Sequence, residues 1–399
     1  MEQTWRWFGP KDKVTLSDAR QAGAEGIVTA LHDVPIGQVW TADAIRARQQ
    51  EIEAAGMRWS VVESLDVSER IKLREPSAKH DIENYIASLR NLAACGIHVI
   101  AYNLMPVLTW MRTDLQVPLA SGGFTVGFDA TAFAAFDLYM LRREGAEADW
   151  SEERCRAART SYDGLSEAER ERLQAIILQG LPGGSGAFSI QDLRNGIERY
   201  RGIDAAGFRA NAAEFLRAVC PVAQELGMRL CVHPDDPPCP LLGLPRIVST
   251  ADDLAFLLAQ SADEANGITF CTGALGVRAD NALVEMAKQF AHRIWFAHLR
   301  STQRERDPQS FFEASHLEGD ADVIGVMRVL FKEEQRRRAQ GDSVPMPYRA
   351  DHGQQLLNDI ERFAQPGYPA VGRLRGLAEL RGVQRTLEHL LSIEGEHEI

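Results

Sequence analysis

The sequence lacks the features that would place it in several large classes of protein. No run of about 18 apolar residues is present, so we expect no membrane-spanning helix. Basic residues are not in excess: the net charge is -12, whereas nucleic-acid binding requires clustered Lys and Arg. The 6 cysteines in 399 residues are too sparse for a dense disulfide framework, which favours a reducing compartment. The first residues also lack a signal-peptide profile, and we therefore expect a cytoplasmic protein.

Phosphate-binding glycine motifs are missing as well. No Gly-x-Gly-x-x-Gly or Walker pattern follows any predicted strand, which argues against a doubly wound nucleotide-binding sheet. Short β-branched or aromatic runs instead alternate with helical patterns of ten or more residues. This alternation is typical of βα units around a parallel sheet. We predict an α/β fold, a (β/α)₈ TIM barrel that forms a single domain over residues 1–399.

Eight strands and their helices can be placed from the pattern of apolar residues. The predicted strands are residues 4–8, 26–30, 58–63, 97–103, 228–233, 268–271, 294–298 and 348–351. The predicted helices are residues 14–22, 41–55 with Thr41 as N-cap, 79–94, 206–226, 251–262, 281–291 and 323–335, followed by C-terminal helices.

One connection is far longer than a barrel requires. Between strands four and five, residues 206–226 supply the usual helix, and about residues 111–201 remain. We predict that this segment is a helical insertion after strand 4, with glycine-rich breaks at residues 121–123 and 182–186. Insertions at this face of a barrel often form lids or subunit contacts.

Four consecutive predicted strands end in a residue that can bind a metal: His233, Cys271, His298 and Asp351. The alternation of side chains along each strand turns all four inward at the mouth of the barrel. A lone His or Cys at a strand end is more often a packed core residue, but four on successive strands favour a metal site. Two imidazoles, a thiolate and a carboxylate suit Zn²⁺, Fe²⁺ or Co²⁺, whereas Mn²⁺ usually prefers more oxygen ligands. Cys231 would lie one layer deeper and is assigned to the core.

Further polar residues are predicted to surround this mouth. Glu63 and Asn103 end the third and fourth strands, and Arg300 follows His298 by two residues, where it could bind a carboxylate. Other candidates for substrate contact or proton transfer are His316, Arg349, His352 and Tyr368.

With these residues in view, the chain resembles the mannonate dehydratases, enzymes of bacterial hexuronate breakdown. The resemblance runs in order from about residue 4 to residue 385. Its motifs are RWFGP (6–10), VVES (61–64), YNLMPV (102–107), HPDDPP (233–238), FCTG (270–273), AHLR (297–300), HLEGD (316–320), YRADHG (348–353) and PGY (366–368).

The resemblance implies a fold, a cofactor and a reaction. The fold is a barrel of the xylose-isomerase-like kind, and the ion at the four ligands is Mn²⁺ or Fe²⁺ in place of zinc. The reaction is the loss of water from D-mannonate, a small sugar acid, to give 2-keto-3-deoxy-D-gluconate. The family's catalytic tyrosine corresponds to Tyr368. We predict Asp351, His352 and Tyr368 as catalytic residues, Glu63, Asn103, Arg300, His316 and Arg349 as substrate contacts, and a homo-oligomer.

Two other functions remain open at this point. A metal-dependent sugar or sugar-acid isomerase or epimerase could use the same barrel, with a base that moves a proton but no loss of water. A non-catalytic barrel could also bind a sugar acid without transforming it, although the ligand set and the proton-transfer groups would then be idle.

Overall fold

A computed structural model describes residues 1–180 and 188–397 of the chain. Across these residues the strands are β1 (Glu2–Arg6), β2 (Gly26–Thr29), β3 (Arg58–Glu63), β4 (Val99–Asn103), β5 (Asp114–Pro118), β6 (Phe124–Phe128), β7 (Arg229–His233), β8 (Asn266–Cys271), β9 (Ile294–His298), β10 (Thr302–Arg304), β11 (Phe311–Glu313) and β12 (Pro347–Arg349). The α-helices are α1 (Leu16–Gln21), α2 (Ala42–Ala54), α3 (Glu69–Lys72), α4 (Ala78–Ala94), α5 (Ala130–Ala135), α6 (Glu152–Gly164), α7 (Glu167–Gln179), α8 (Ile190–Arg199), α9 (Ala205–Glu225), α10 (Ala251–Leu258), α11 (Thr272–Gly276), α12 (Leu283–Phe290), α13 (Val323–Ala339), α14 (Asp359–Arg362) and α15 (Ala370–His397).

Eight parallel strands close into a barrel, which confirms the predicted fold. Their order around the barrel is β1, β2, β3, β4, β7, β8, β9 and β12, and β12 pairs in parallel with β1 to close it. The interior is filled by a small cluster of side chains, among them Trp295 and Phe296 of β9. Cys231 belongs to this cluster, as predicted. The outward side chains of the strands pack against the surrounding helices in the main core.

The predicted bounds are accurate where a strand has strong flanking signals. Strands β3 and β9 match their predicted residues, and the hydroxyl of Thr41 caps α2 by accepting from the amide of Ala44. Strand β1 begins and ends two residues earlier than predicted, and β12 ends at Arg349 instead of residue 351. Asp351 therefore lies just beyond its strand, with a positive φ of 60°.

The insertion after β4 is helical from α5 to α8, as predicted, but it begins with a hairpin that the pattern did not reveal. Strands β5 and β6 form this hairpin and join β10 and β11 in an antiparallel sheet of order β10-β11-β6-β5. The predicted break at residues 121–123 is its turn, where Gly122 has φ +86°. The second predicted break, at residues 182–186, lies outside the described residues.

No helix in the described ranges combines the length and the apolar composition that crossing a membrane requires.

Candidate active site

The structure brings the four predicted ligand residues together at the mouth of the barrel. Nε2 of His233 lies 3.1 Å from Nδ1 of His298, and potential ligand atoms of His233, Cys271 and His298 all lie within 4.8 Å of one another. Oδ2 of Asp351 lies 3.8 Å from Sγ of Cys271 and 3.7 Å from Nδ1 of His298. The first three residues end β7, β8 and β9, so the barrel itself fixes their spacing.

Both imidazoles are held in fixed orientations, each with one nitrogen directed at the site. Nδ1 of His233 donates to the carbonyl of Pro234 at 2.7 Å, which leaves Nε2 without a proton. Nε2 of His298 lies 3.2 Å from a Glu63 oxygen and 3.1 Å from Nε of Arg349. Arg349 donates to Nε2, and Nδ1 is the nitrogen that faces His233 and Asp351. Nδ1 is therefore the atom of His298 available as a ligand. Burial lowers the pKa of both rings, that of His298 to about 4, so both stay neutral near pH 7.

The sulfur and the carboxylate complete a donor set that fits a divalent cation. Burial raises the pKa of the Cys271 thiol to about 12, so a cation beside it is needed to hold the thiolate at neutral pH. Burial also acts to raise the pKa of Asp351, but Arg349 and other positive neighbours outweigh it and keep this pKa well below its usual range. Arg349 and Arg300 contact this carboxylate at 2.5 and 2.8 Å. A transition-metal ion suits the resulting nitrogen, sulfur and oxygen donors.

A buried network of arginines and carboxylates lies against the donor set. Arg300 contacts Asp236 at 2.7 Å, Glu313 at 3.1 Å and Asp351 at 2.8 Å. Arg112 contacts Asp236 at 2.7 Å and Glu313 at 2.8 Å. Burial disfavours the charged form of Glu313, but Arg300 and its other partners lower the pKa of this carboxyl to about 2. The network is therefore fully charged, and both terminal nitrogens of Arg300 are already used within the protein.

Two of the predicted proton-transfer residues meet beside Asp351. Nδ1 of His352 lies 3.0 Å from a Glu313 oxygen, and its ring stands edge-on to Tyr368, with centroids 5.0 Å apart. Trp110 contacts the same ring from another side, at 5.7 Å. Burial, with a smaller contribution from Asp351, raises the pKa of Tyr368 to about 12. Its phenol thus carries its proton at neutral pH and can donate it.

The predicted substrate contacts fall into two groups. Glu63, Asn103, Arg300 and Arg349 line one narrow pocket, together with His233, Asp351, His352 and Tyr368. His316 does not line this pocket. Its Nε2 lies 2.7 Å from the carbonyl of Ala350, and its ring packs so closely on α15 that a Cβ at Gly376 would lie 2.1 Å from it. His316 supports the backbone that carries Asp351.

Several residues of the site were not predicted. Arg6 ends β1 and lines the pocket, so the strand-end signal used for the other strands could have found it. Arg112 precedes β5 and Glu313 ends β11, in the sheet outside the barrel. Arg112 comes from a distant part of the chain and joins Arg300 through their shared partners Asp236 and Glu313, which no local pattern indicates. Glu313 is closer in sequence to Arg300, but it ends a short strand that was not predicted.

Comparison with known proteins decides the family. Residues 1–394 match the family model described as D-mannonate dehydratase (UxuA). The chain belongs to the D-mannonate dehydratase family. It is 54% identical over 390 residues to the mannonate dehydratase of Chromohalobacter salexigens, which covers 98% of this chain and 100% of that protein. It is 50% identical over 391 residues to the mannonate dehydratase of Marinomonas sp. (strain MWYL1), with 98% and 100% covered.

A solved structure agrees with this membership. The mannonate dehydratase from Streptococcus suis serotype 2 superimposes with a TM-score of 0.77 at 30% sequence identity, and the match covers 98% of this chain and 95% of that chain. The two chains therefore share one overall fold over nearly their full lengths.

Proposed function

We propose that the chain carries out its family's reaction, the dehydration of D-mannonate to 2-keto-3-deoxy-D-gluconate, with a Mn²⁺ or Fe²⁺ ion held by His233, Cys271, His298 and Asp351. The observation that carries this proposal is the convergence of four donors beside His352 and Tyr368. Such a site offers both an electrophile and proton-transfer groups, which the removal of a weakly acidic C2 hydrogen requires. When bound, the cation supplies stabilisation of the negative charge that develops on the substrate carboxylate.

His352 is the group we assign to the C2 hydrogen. Nδ1–H of His352 donates a hydrogen bond to Glu313, which leaves Nε2 as the basic nitrogen. This Nε2 lies 3.8 Å from an Asp351 oxygen, next to the proposed ligand set. A base fixed in one tautomer and one orientation can take the proton without first rearranging.

Tyr368 is the group we assign to the departing C3 hydroxyl. Its phenol is buried, remains protonated at neutral pH, and stands against the ring of His352. A hydroxyl leaves as water once it receives a proton, and a neutral phenol can supply one. Arg300 and Arg349 keep the carboxylate of Asp351 charged, as their contacts at 2.8 and 2.5 Å show.

The isomerase or epimerase alternative would use the same donors and the same base without loss of water. No contact in the described pocket favours it, and family membership weighs against it. Product analysis separates the two, since only dehydration gives a 2-keto-3-deoxy acid.

We also propose a cytoplasmic location and a homo-oligomeric state. All 6 cysteines are unpaired in the described part of the chain, which suits a reducing compartment. Large apolar side chains are exposed on the segment between His352 and Tyr368, with Leu357 80% and Phe363 86% accessible. A subunit contact would cover them.

The first test is an assay of purified, metal-stripped protein with D-mannonate, with and without added Mn²⁺. We expect 2-keto-3-deoxy-D-gluconate to appear only when the metal is present. If the protein binds the metal but leaves D-mannonate unchanged, the proposed reaction is contradicted. The next assays would then use other sugar acids and look for isomerised products.

A further inference from the structure

The pocket that holds the proposed catalytic groups is too small for the whole substrate. Its volume is about 40 Å³, which is room for only a few water molecules, since one needs roughly 10–15 Å³. Sites for small molecules usually enclose roughly 300 Å³ or more. A six-carbon sugar acid that reacts here must therefore extend into a neighbouring cavity.

The position of the donors shows in which direction the substrate extends. All four come from one half of the barrel, at the ends of β7, β8 and β9 and just after β12. The reacting carbons C1 to C3 must lie beside these donors, because the carboxylate and the C2 hydrogen are at that end of the molecule. The remaining carbons then point toward the opposite half, formed by β1 to β4.

A second cavity opens at that opposite half. Its volume is about 290 Å³, and it shares Arg6 and Ser64 with the catalytic pocket. Arg6 at the end of β1, the segments that follow β2 and β3, and side chains of α3 and α4 form its walls. Phe8 links the two spaces, with its ring 4.8 Å from that of Tyr368 and 5.9 Å from that of His32.

The lining of this cavity carries groups that recognise hydroxyls. His32, Ser64 and Asp66 all line it. Burial raises the pKa of Asp66, while Lys72, Arg6 and Ser64 act to lower it, and the carboxyl oxygens of Asp66 can accept hydrogen bonds. A histidine, a hydroxyl and a carboxylate together offer both donors and acceptors, which a chain of hydroxyl groups requires.

We propose that this cavity is the subsite for the C4–C6 end of the sugar acid, with His32, Ser64 and Asp66 as its hydrogen-bonding groups. The proposal rests on the proposed function, and it makes these residues determinants of chain length. Short acids would fill only the catalytic pocket, whereas six-carbon acids would gain additional contacts from the subsite.

Another cavity is the main alternative location for the C4–C6 subsite. It has a volume of about 320 Å³, shares Asn103 and Thr109 with the catalytic pocket, and includes Arg199 of the insertion. Its lining combines Asn103 at the end of β4 with the loop after β3 and residues of the insertion, and Asp66 lines both cavities. The cavity beside β1 to β3 is connected to the donor set by two contacts: Phe8 packs on both Tyr368 and His32, and Arg6 lies 3.3 Å from Glu63. We therefore assign the subsite to this cavity.

The test compares D-mannonate with the four-carbon aldonic acid of the same configuration at C2 and C3, which lacks C5 and C6. The Mn²⁺-loaded enzyme is assayed for kcat/KM on D-mannonate, and the short acid is measured as a competitive inhibitor. The variants are Asp66→Asn, Asp66→Ala and His32→Gln, with thermal unfolding as a check of folding. Arg199→Ala is the matched control in the competing cavity.

We expect Asp66→Ala to lower kcat/KM for D-mannonate by roughly ten- to hundredfold, the range for a lost hydrogen bond to a charged group. Asp66→Asn and His32→Gln should lose less, because they keep part of the hydrogen bonding. The inhibition constant of the short acid should change by less than about threefold in every variant, and Arg199→Ala should behave as wild type.

Other results would overturn the proposal. An equal weakening for both acids would make these residues part of the reacting site, and unchanged kcat/KM in folded Asp66→Ala and His32→Gln would remove the subsite. A selective loss in Arg199→Ala, or a loss in Asp66→Ala with unchanged kcat/KM in His32→Gln, would move the subsite to the other cavity, which Asp66 also lines. Failure of wild-type enzyme to dehydrate D-mannonate would instead contradict the proposed function, so the two failures are distinguishable.

Discussion

Glu313 holds the ring of His352 in one orientation, and this contact connects the sheet outside the barrel to the proposed base. The carboxylate lies 3.0 Å from Nδ1 of His352 and also contacts Arg112 and Arg300. We predict that Glu313→Gln lowers kcat about tenfold, because the amide still accepts the hydrogen bond but no longer stabilises a positive ring as the proton arrives. The bound Mn²⁺ should be retained, as measured by metal analysis of the purified variant.

Glu318 provides the control for this prediction. It lies five positions along the same segment, is exposed, and Glu318→Gln removes a charge of the same kind. This control should keep wild-type kcat. If Glu313→Gln lost its metal together with its activity, the carboxylate would be supporting the ligand set and not His352.

Variants of the ligand residues and variants of the proton-transfer residues should lose activity for different reasons. Cys271→Ala removes one of the proposed donors, so we predict the loss of bound metal and of activity in a protein that stays folded. His352→Gln should keep the metal while kcat falls by roughly 10²–10⁴, the usual contribution of a general base. Metal content and kcat of the same preparations make the distinction.

Cys220→Ala is the control for the cysteine variant. This thiol is buried in α9, away from the site, so its removal should leave metal content and kcat unchanged. Full metal content in Cys271→Ala would show that the sulfur is not a ligand.

At the level of single residues, the sequence predicted the side chains that point into the mouth of the barrel. His233, Cys271 and His298 could be found because each ends a strand, and side chains alternate in and out along strands. Glu313 could not be found, since its role depends on a contact with His352 that no spacing encodes. His316 was assigned to the substrate because of its neighbours in sequence, whereas its ring is directed at the carbonyl of Ala350.

At the level of elements, the antiparallel sheet is a bridge between the insertion and the site. Phe124 at the start of β6 exchanges two backbone hydrogen bonds with Gln355, three residues after His352. Strand β6 also pairs with β11, which carries Glu313. The sheet therefore contacts the segment of His352 both through the backbone and through a side chain.

Substitution of Gly123 tests whether the antiparallel sheet affects kcat. A Cβ at this position would lie 2.6 Å from the backbone carbonyl of Gln355, which cannot move away as a flexible side chain can. We predict that Gly123→Ala destabilises the protein by about 1–3 kcal/mol and lowers kcat, because the clash displaces the segment that holds His352. Thermal unfolding and steady-state kinetics measure both effects.

Gly164→Ala is the matched change elsewhere in the insertion. Gly164 ends α6, and no atom beyond its own helix and chain neighbours lies within 4 Å of a Cβ built there. This variant should be as stable as wild type or slightly more stable, with unchanged kcat. A Gly123→Ala variant with wild-type kcat would show that the hairpin does not position the base.

The antiparallel sheet is the element that the sequence pattern did not predict. Strand β3 was placed correctly because a β-branched run follows a helix and a glycine turn. Strand β6 has a similar composition, but its partner β11 lies far along the chain. Pairing at that separation depends on how the barrel loops fold back, and a local pattern does not contain that information.

For the whole molecule, metal binding and stability are linked through the barrel mouth. Three donors end β7, β8 and β9 and the fourth, Asp351, lies just after β12, so one ion would join elements that are distant in the chain. An ion that binds the folded state alone adds about 2.7 kcal/mol of stability when its free concentration is about 100 times Kd. We predict that Mn²⁺ raises the Tm of metal-stripped protein by several degrees, as measured by calorimetry, and that Cys271→Ala abolishes the increase.

This linkage also has a definite pH dependence. The Cys271 thiol is protonated in the metal-free protein because burial raises its pKa to about 12, so metal uptake releases a proton. A reaction that releases a proton is favoured as the pH rises, and the gain in Tm on adding Mn²⁺ should therefore be larger at pH 8 than at pH 6.5. Scans at both values, each against a metal-free sample at the same pH, separate this effect from the general pH dependence of stability. An equal gain at both values would show that the ion binds without displacing the thiol proton, and Cys271 would then lie outside the ligand set.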